Sequence, residues 1–371
     1  MKLIYFSEGW RILKRSIDVR MNGTYRFRGN AQEICEKAVD RCWNAQHKFF
    51  QTSSGHFNQF WTRDFGFCAE ALANLGYKGN LISTLKYALG IFSGRNKITT
   101  TITPGHYPYD MPKLSADSLP LLVRAVKYTD PNLLAEYESF FLSQINHYFD
   151  EVFDKSTCLV RADTYFSSIK DYTKRRSSAY DNCMLAMLKN DLRELDFYNP
   201  FSDFDIKSAI EKNLWNGRYF YEDLDRKNIV TGDANVFPFW TGVFDDKKMF
   251  NSCLREIKKS RLDRPFPLRY SRFREKTSDT TIYELLAGDY ERDTIWAHLG
   301  MCFLEALKMF SMKKDLKKYT GQYAKIIEQN SNFLEVFDSH GEPFKTLVYH
   351  ADEGMLWAGM YLNLAGKNKF L

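Results

Sequence analysis

Two carboxyl groups can share acid–base work. One protonates a leaving oxygen; the other acts as nucleophile or activates a water, and their separation decides which. The 371-residue chain holds 46 acidic residues, so placement has to select among them. Asp171 stands in a loop just before a helix start, beside Tyr172 and a basic run, where little structural reason exists for an acid. Asp181 falls in the first turn of the following helix, where free N–H groups and the helix dipole favour a carboxylate, so a structural role accounts for it equally well. Glu335 closes a helix, where the dipole disfavours an acid. Its rival Glu353 lies early in the last helix, where a carboxylate is welcome. Residue types alone leave these choices open.

A second constellation lies in Phe57 to Leu75, FNQFWTRDFGFCAEALANL. Phe60 and Trp61 precede the pair Arg63 and Asp64, and Phe67, Ala71, Leu72 and Leu75 then follow at helical spacing. This places Arg63 and Asp64 at a helix mouth beside a Trp. An indole face stacks on the C–H face of a sugar, and fixed charged groups meet its hydroxyls; an N-capped helix with an ordinary surface ion pair is the plainer alternative. Tyr290, Arg292 and Trp296 form a similar group ahead of another apolar helix. His298, two residues on, reads better as a structural hydrogen-bonder. No G-x-S-x-G, no phosphate loop of the G-x-x-x-x-G-K type and no H-E-x-x-H helix occurs.

Positioning falls to helices. Apolar residues three and four apart predict about twelve, beginning near Ala31, Asp64, Lys78, Ala116, Asp130, Ala179, Ser202, Asn235, Asp245, Tyr290, Lys313 and Ala351. Longer loops rich in Gly, Pro, Tyr, Asp and Thr fall between alternate helices, at 95–115, 150–178, 217–234, 260–289 and 335–350, and long loops on a helical scaffold are usually functional. Six helical hairpins with elaborate alternate loops predict an all-α (α/α)6 toroid whose loops gather at one end around an axial pocket. An open solenoid would keep a constant repeat length, and these spacings vary. Residues 1–29 read as a short hairpin or leader turning at Asn22-Gly23, and residues 30–371 as one domain with no linker.

Hydrophobic content of 44% and charged content of 26% are those of a globular chain. The excess of 52 basic over 46 acidic residues is diffuse, and Lys174-Arg175-Arg176 and Lys313-Lys314 are short, which argues against a nucleic-acid partner. Seven cysteines, odd in number and without C-x-x-C, argue against a disulfide framework or a zinc site and for a reducing, cytoplasmic setting. The N-terminus lacks the long apolar core of a signal peptide, and no run of about 18 apolar residues predicts a membrane span.

These blocks, in this order, resemble the six-hairpin glycosidases: the α-1,6-glucosidase part of glycogen debranching enzymes, glucoamylase, processing α-glucosidase I and neutral invertase. FNQFWTRDFGFCAEAL resembles the invertase DQVFIRDF block, and SADSLPLLVRAVKYT the helix after the second loop. LVRADTYFSSIKDYTKRRSSAYDNCMLAML resembles the segment carrying the general acid, DYERDTIWAHLGMCFLEAL a Tyr-containing block and its helix, and LEVFDSHGEPF…ADEGMLWAGMYL the closing block led by the base. The resemblance spans about residues 57 to 362 and implies Asp171 as acid, Glu335 as base and an inverting reaction on a carbohydrate substrate, with no metal or cofactor. It implies Arg63 and Asp64 gripping sugar hydroxyls, Trp61, Tyr290 and Trp296 as walls, and Asp117, Asp181 and Arg292 as further contacts. Glu291 stands where invertases and debranching enzymes have His. An α-glucosidic bond is the expected target, with sucrose as the nearest competitor. A sugar epimerase on the same toroid would need His298 and His350 facing each other with Glu335 turned away. A silent sugar-binding protein would deny Asp171 or Glu335 access to the pocket.

Overall fold

The computed structural model describes residues 3–272 and 290–366. In chain order its helices are α1 (Leu3–Asn22), α2 (Ala31–Cys42), α3 (Thr62–Asn74), α4 (Lys78–Gly94), α5 (Ser118–Thr129), α6 (Asn132–Glu136), α7 (Glu138–Glu151), α8 (Ala179–Glu194), α9 (Ile206–Leu214), α10 (Gly232–Trp240), α11 (Lys247–Lys259), α12 (Ala297–Met309), α13 (Lys313–Asn330) and α14 (Ala358–Gly366).

Burial sorts these helices into two kinds. α2, α4, α7, α9, α11 and α13 are amphipathic; in α11 the buried stripe is Phe250, Cys253, Leu254 and Ile257, the spacing of a single helix face. α5, α8, α10 and α12 are buried on nearly every side, and α10 has no exposed residue at all. A helix apolar all round belongs inside a larger assembly. α3, α5, α8, α10, α12 and α14 each pack on the next, and α14 returns to α3 to close the ring. Each is preceded in the chain by one of the amphipathic helices. The result is an (α/α)6 toroid, as the hairpin count predicts. Close approach within the ring depends on small residues: a Cβ on Gly66 of α3 would come within 2.5 Å of the Leu121 Cβ on α5.

The N-terminus departs from expectation. Residues 1–29 read as a hairpin or leader, but Leu3–Asn22 is a 20-residue helix. Gly23 takes a φ of +77° and donates its N–H to Val19 O at 2.8 Å. The Asn-Gly pair is therefore a helix C-terminus with glycine in the left-handed region, not a strand turn. Glu8, Ser16 and Val19 turn inward and are buried, while Phe6, Trp10, Ile17 and Met21 are exposed.

Two expected helix starts come about seven residues late. The chain before α12 is drawn into a two-residue antiparallel ladder, with Ile295 opposite Phe337 and Trp296 opposite Val336. The chain before α14 is held by bridges from Glu353 to Leu334 and from Met355 to Ser53. Glu335 therefore does not end a helix: α13 stops at Asn330 and Glu335 lies directly before the ladder strand Val336–Phe337. Glu353 lies ahead of the last helix, tied to Arg15 of α1 and to the Tyr25 N–H at 2.6 Å. Of the expected loop 260–289, residues 273–289 lie outside the described residues. Among the described residues no helix is long and apolar enough to cross a membrane.

Candidate active site

The long loops and the starts of the inner helices enclose a cavity of about 400 Å³. Its wall includes Trp61, Arg63, Asp64, Asp171, Tyr290, Trp296 and Glu335. Both expected catalytic carboxyls thus reach one space, together with the expected aromatic walls. Asp117, Asp181 and Arg292 do not line it.

The two absent acids have structural work. Asp117 is fully buried and accepts from Arg63 Nε at 2.6 Å and Tyr180 OH at 2.7 Å, so it orients the arginine from behind. Asp181 accepts from the hydroxyls of Ser168 and Ser178, each at 2.6 Å, while Ser178 caps the start of α8 by accepting from the Asp181 N–H. The Arg292 backbone carbonyl accepts from Ser271 N at 3.1 Å.

Asp171 is gripped by Arg63, whose Nη1 and Nη2 donate at 3.2 and 3.1 Å in a bidentate pair. Ser168 N donates to it at 3.1 Å, and the Ser167 hydroxyl touches the same carboxyl oxygen. That hydroxyl also lies 2.8 Å from Met111 O. One hydroxyl proton cannot serve both acceptors. When it goes to Met111 O, Ser167 Oγ is free to accept a hydrogen bond from the Asp171 carboxyl.

The loop carrying Asp171 is held from below. Glu291 accepts from Asp171 N at 2.6 Å, from Tyr172 N at 2.9 Å and from Thr173 Oγ1 at 3.2 Å. Lys170 pairs with Glu222 at 2.5 Å, and Arg175 with Asp233 at 2.9 Å. Of the short basic run 174–176, Arg175 is therefore internal scaffolding, while Lys174 and Arg176 are exposed. Burial, with the nearby Asp171 charge, pushes the Glu291 carboxyl up to about 8, against the pull of its backbone donors.

Glu335 accepts from the Tyr290 hydroxyl, from Tyr349 OH at 2.5 Å and from Asp352 N at 2.9 Å. Burial raises its carboxyl to about 8, with Asp352 adding to the shift and the two tyrosines opposing it. Asp352 in turn accepts from His56 N at 2.8 Å and Phe57 N at 2.9 Å, binding the aromatic loop to the Glu335 loop. Asp64, in the first turn of α3, is raised by burial to about 7, with Arg63 pulling it down. Because Tyr290 and Glu291 are adjacent, one turn of chain ties Glu335 to the Asp171 loop.

His298 lies in the cavity wall, stacked on Phe67 with ring planes 9° apart, and burial lowers it to about 3. His350 is not in the wall and faces Ala351 O at 3.2 Å. The paired histidines of an epimerase are not assembled, and Glu335 is turned inward. Among the described residues Trp61 Nε1, Trp357 Nε1 and His298 Nδ1 find no hydrogen-bond partner, although all three residues line the cavity. Sequence reasoning missed Tyr349, Glu291 as a loop anchor, and the residues of α1 that reach the site. Among the described residues no group of three His, Cys, Asp or Glu side chains is placed to hold a metal ion.

No family model and no curated protein matches the sequence. Solved structures do match in fold. A protein described as a glycosidase aligns with a TM-score of 0.66 at 13% identity, over 91% of this chain and 96% of its own. A variant described as a glycosidase in complex with glucose aligns at 0.67 and 12% identity. A GH63 mannosylglycerate hydrolase from Thermus thermophilus aligns at 0.61 and 12% identity, over 90% of this chain and all of its own. A rhamnosidase from Klebsiella oxytoca with rhamnose bound aligns at 0.64 and 12% identity, over 93% of this chain and 66% of its own.

Proposed function

We propose that this chain is a glycoside hydrolase that cleaves a terminal α-glucosidic bond with inversion. The observation that carries this reading is the meeting of Asp171 and Glu335, from loops 164 positions apart in the chain, in one aromatic-walled cavity. The likeness in fold to proteins described as a glycosidase, a mannosylglycerate hydrolase and a rhamnosidase supports the general class of substrate.

Asp171 acts as general acid. In its protonated form it gives up its bond to Ser167 and delivers the proton to the glycosidic oxygen, while Arg63 remains to hold the carboxylate left behind. Glu335 acts as general base. Its three partners are all donors, which suits the ionised form, and a carboxyl poised near 8 is a stronger proton acceptor than an exposed one. It takes a proton from a water that attacks the anomeric carbon from the opposite face. Inversion requires carboxyl groups about 6.5–9.5 Å apart to leave room for that water. Arg63 and Asp64 meet ring hydroxyls, and Trp61 and Trp296 flank the ring.

Maltose, isomaltose, a branched dextrin, trehalose and sucrose, incubated with the wild type, Asp171→Asn and Glu335→Gln, test this by NMR of the released anomer. β-Glucose from one α-glucoside, lost in both variants, is the expected result. Cleavage that persists in both variants overturns the assignment of acid and base; α-glucose as first product overturns inversion.

A further inference from the structure

The cavity has an unexpected wall. Four residues of α1, Glu8, Gly9, Ile12 and Leu13, line it, and their spacing of one, four and five places them on a single helix face. α1 is pinned in that position. Arg11 donates to Asn58 Oδ1 at 2.9 Å and to Gln59 Oε1 at 2.5 Å, directly before Phe60 and Trp61. Arg15 pairs with Glu353, and Arg20 donates to Thr346 O in the turn that carries Val348 and Tyr349. The helix thus bridges the aromatic loop and the loop of the candidate base.

What α1 contributes to the site is mainly apolar. Ile12 and Leu13 face the cavity, and Phe57 and Val348 continue the same surface. The one charged group on this wall, Glu8, is buried and accepts from Arg11 Nε at 3.2 Å and Nη2 at 2.5 Å, both at Oε2. The carboxyls and Arg63 come from other elements. The cavity is therefore polar where α3, the 171 loop and the 335 loop meet, and apolar under α1. Its volume of about 400 Å³ lies toward the small end of ligand pockets, which run to about 1,000 Å³.

We propose that α1 roofs an apolar subsite, so that the substrate is a short glycoside, one terminal sugar on a small apolar aglycone, rather than a polysaccharide end. This rests on the glycosidase reading and names the substrate class of that site. A second sugar under the roof would press its hydroxyls against Ile12, Leu13 and Val348, where they lose water and gain no partner. An alkyl or aryl group there gains about fourfold in affinity for each methylene buried.

The test is calorimetric binding to Glu335→Gln, which removes the base without removing the roof. The probes are free glucose, mannose and rhamnose, their methyl and butyl glycosides in both anomers, and the linear trisaccharide of whichever sugar binds. Tenfold or greater tightening from methyl to butyl, with no tightening from monosaccharide to trisaccharide, is expected. Adding Ile12→Ser and Leu13→Ser removes the butyl advantage and leaves the free sugar unchanged. Deleting residues 1–24 admits the trisaccharide; the methyl-to-butyl comparison in the intact chain stands whether or not that deletion folds. A sugar that binds without a butyl gain, or a trisaccharide that binds tighter than its monosaccharide, overturns the roof and leaves the glycosidase reading intact. Failure of every sugar and glycoside to bind overturns both.

Discussion

Glu335 is a carboxyl that two tyrosines and a backbone N–H hold in a buried place, and this fixes its response to pH. Only the ionised form can accept a proton from water. With its carboxyl raised to about 8, kcat/KM should climb as pH rises through about 8 on the base limb, well above an exposed glutamate. Tyr349→Phe removes a donor that favours the ionised form, so that limb should move to higher pH. Initial rates across pH 5–10 for both proteins measure this; a limb near 4.5, or a shift downward in the variant, would contradict it. Glu335→Gln should lower kcat by roughly 10²–10⁴-fold, the usual worth of a general base, while leaving the circular dichroism spectrum unchanged. At this scale the sequence was legible in so far as Asp171 and Glu335, singled out by their surroundings in the chain, both come to the cavity wall. It misled at Asp117 and Asp181 because the inner helices begin at the end of the toroid where the cavity lies. An acid that orients an arginine or faces a cap there looks, in sequence, like one that meets substrate. Tyr349 gave no signal, since its role depends on a turn that brings it back over Glu335.

Elements enter through the contacts that fix one loop to another. Glu291 ties down three successive residues of the Asp171 loop through Asp171 N, Tyr172 N and Thr173 Oγ1. It is a positioning residue: its carboxyl acts through Asp171. Glu291→Ala removes the acceptor of the Asp171 and Tyr172 N–H groups and frees the loop, and a displacement of about 1 Å in such a group can cost 10²-fold in rate. Glu291→Gln keeps a carbonyl oxygen for the backbone donors and should restore most of kcat. The comparison of kcat and KM among wild type, Ala and Gln variants decides it. A merely structural residue would lower stability in the Ala variant with kcat per folded molecule unchanged. The same scale explains the misread N-terminus. Asn22-Gly23 fits both a hairpin turn and a helix end, and a local pattern does not choose between them. The choice is made by tertiary partners more than 300 residues away, where Arg15 finds Glu353 and Arg20 finds the Thr346 carbonyl.

For the whole molecule, the toroid was readable because about twelve helical segments pair into six hairpins whose alternate connections are loops too long to be idle; that one helix layer is amphipathic and the other buried on nearly every side emerged only from the structure. The electrostatic cost of that architecture was not readable, because it depends on which carboxyls the closed ring buries. Burial raises Glu335 and Glu291 to about 8 and Asp64 and Glu305 to about 7. Each binds a proton more tightly in the folded chain than in the unfolded one. Their contribution to stability is therefore full below about 4.5 and is lost as pH rises through 7 to 8. His56 and His298 act with opposite sign, since burial lowers them to about 4 and 3, and the folded chain gains stability until the unfolded histidines lose their protons near 6.5. Above that pH the histidines are silent, and the carboxyls, joined near the top of the range by buried thiols such as Cys35 and Cys68 that burial also raises, lower stability together. Melting temperature should thus fall by several degrees between pH 6.5 and 8.5. Glu305 offers a clean probe because it lies on α12 away from the cavity wall, accepting from Trp240 Nε1 at 2.7 Å. Glu305→Gln keeps an acceptor for that indole and removes one titrating group, so its melting curve should lose less with pH than the wild type over the same interval. Differential scanning fluorimetry of the two proteins in a constant-ionic-strength buffer series is the measurement. A wild-type melting temperature that rises or stays level from pH 6.5 to 8.5 would mean that these carboxyls are already ionised in the folded chain. Glu335 would then be an ordinary carboxylate stabilised by its three donors, and the base limb of the rate profile would move down with it.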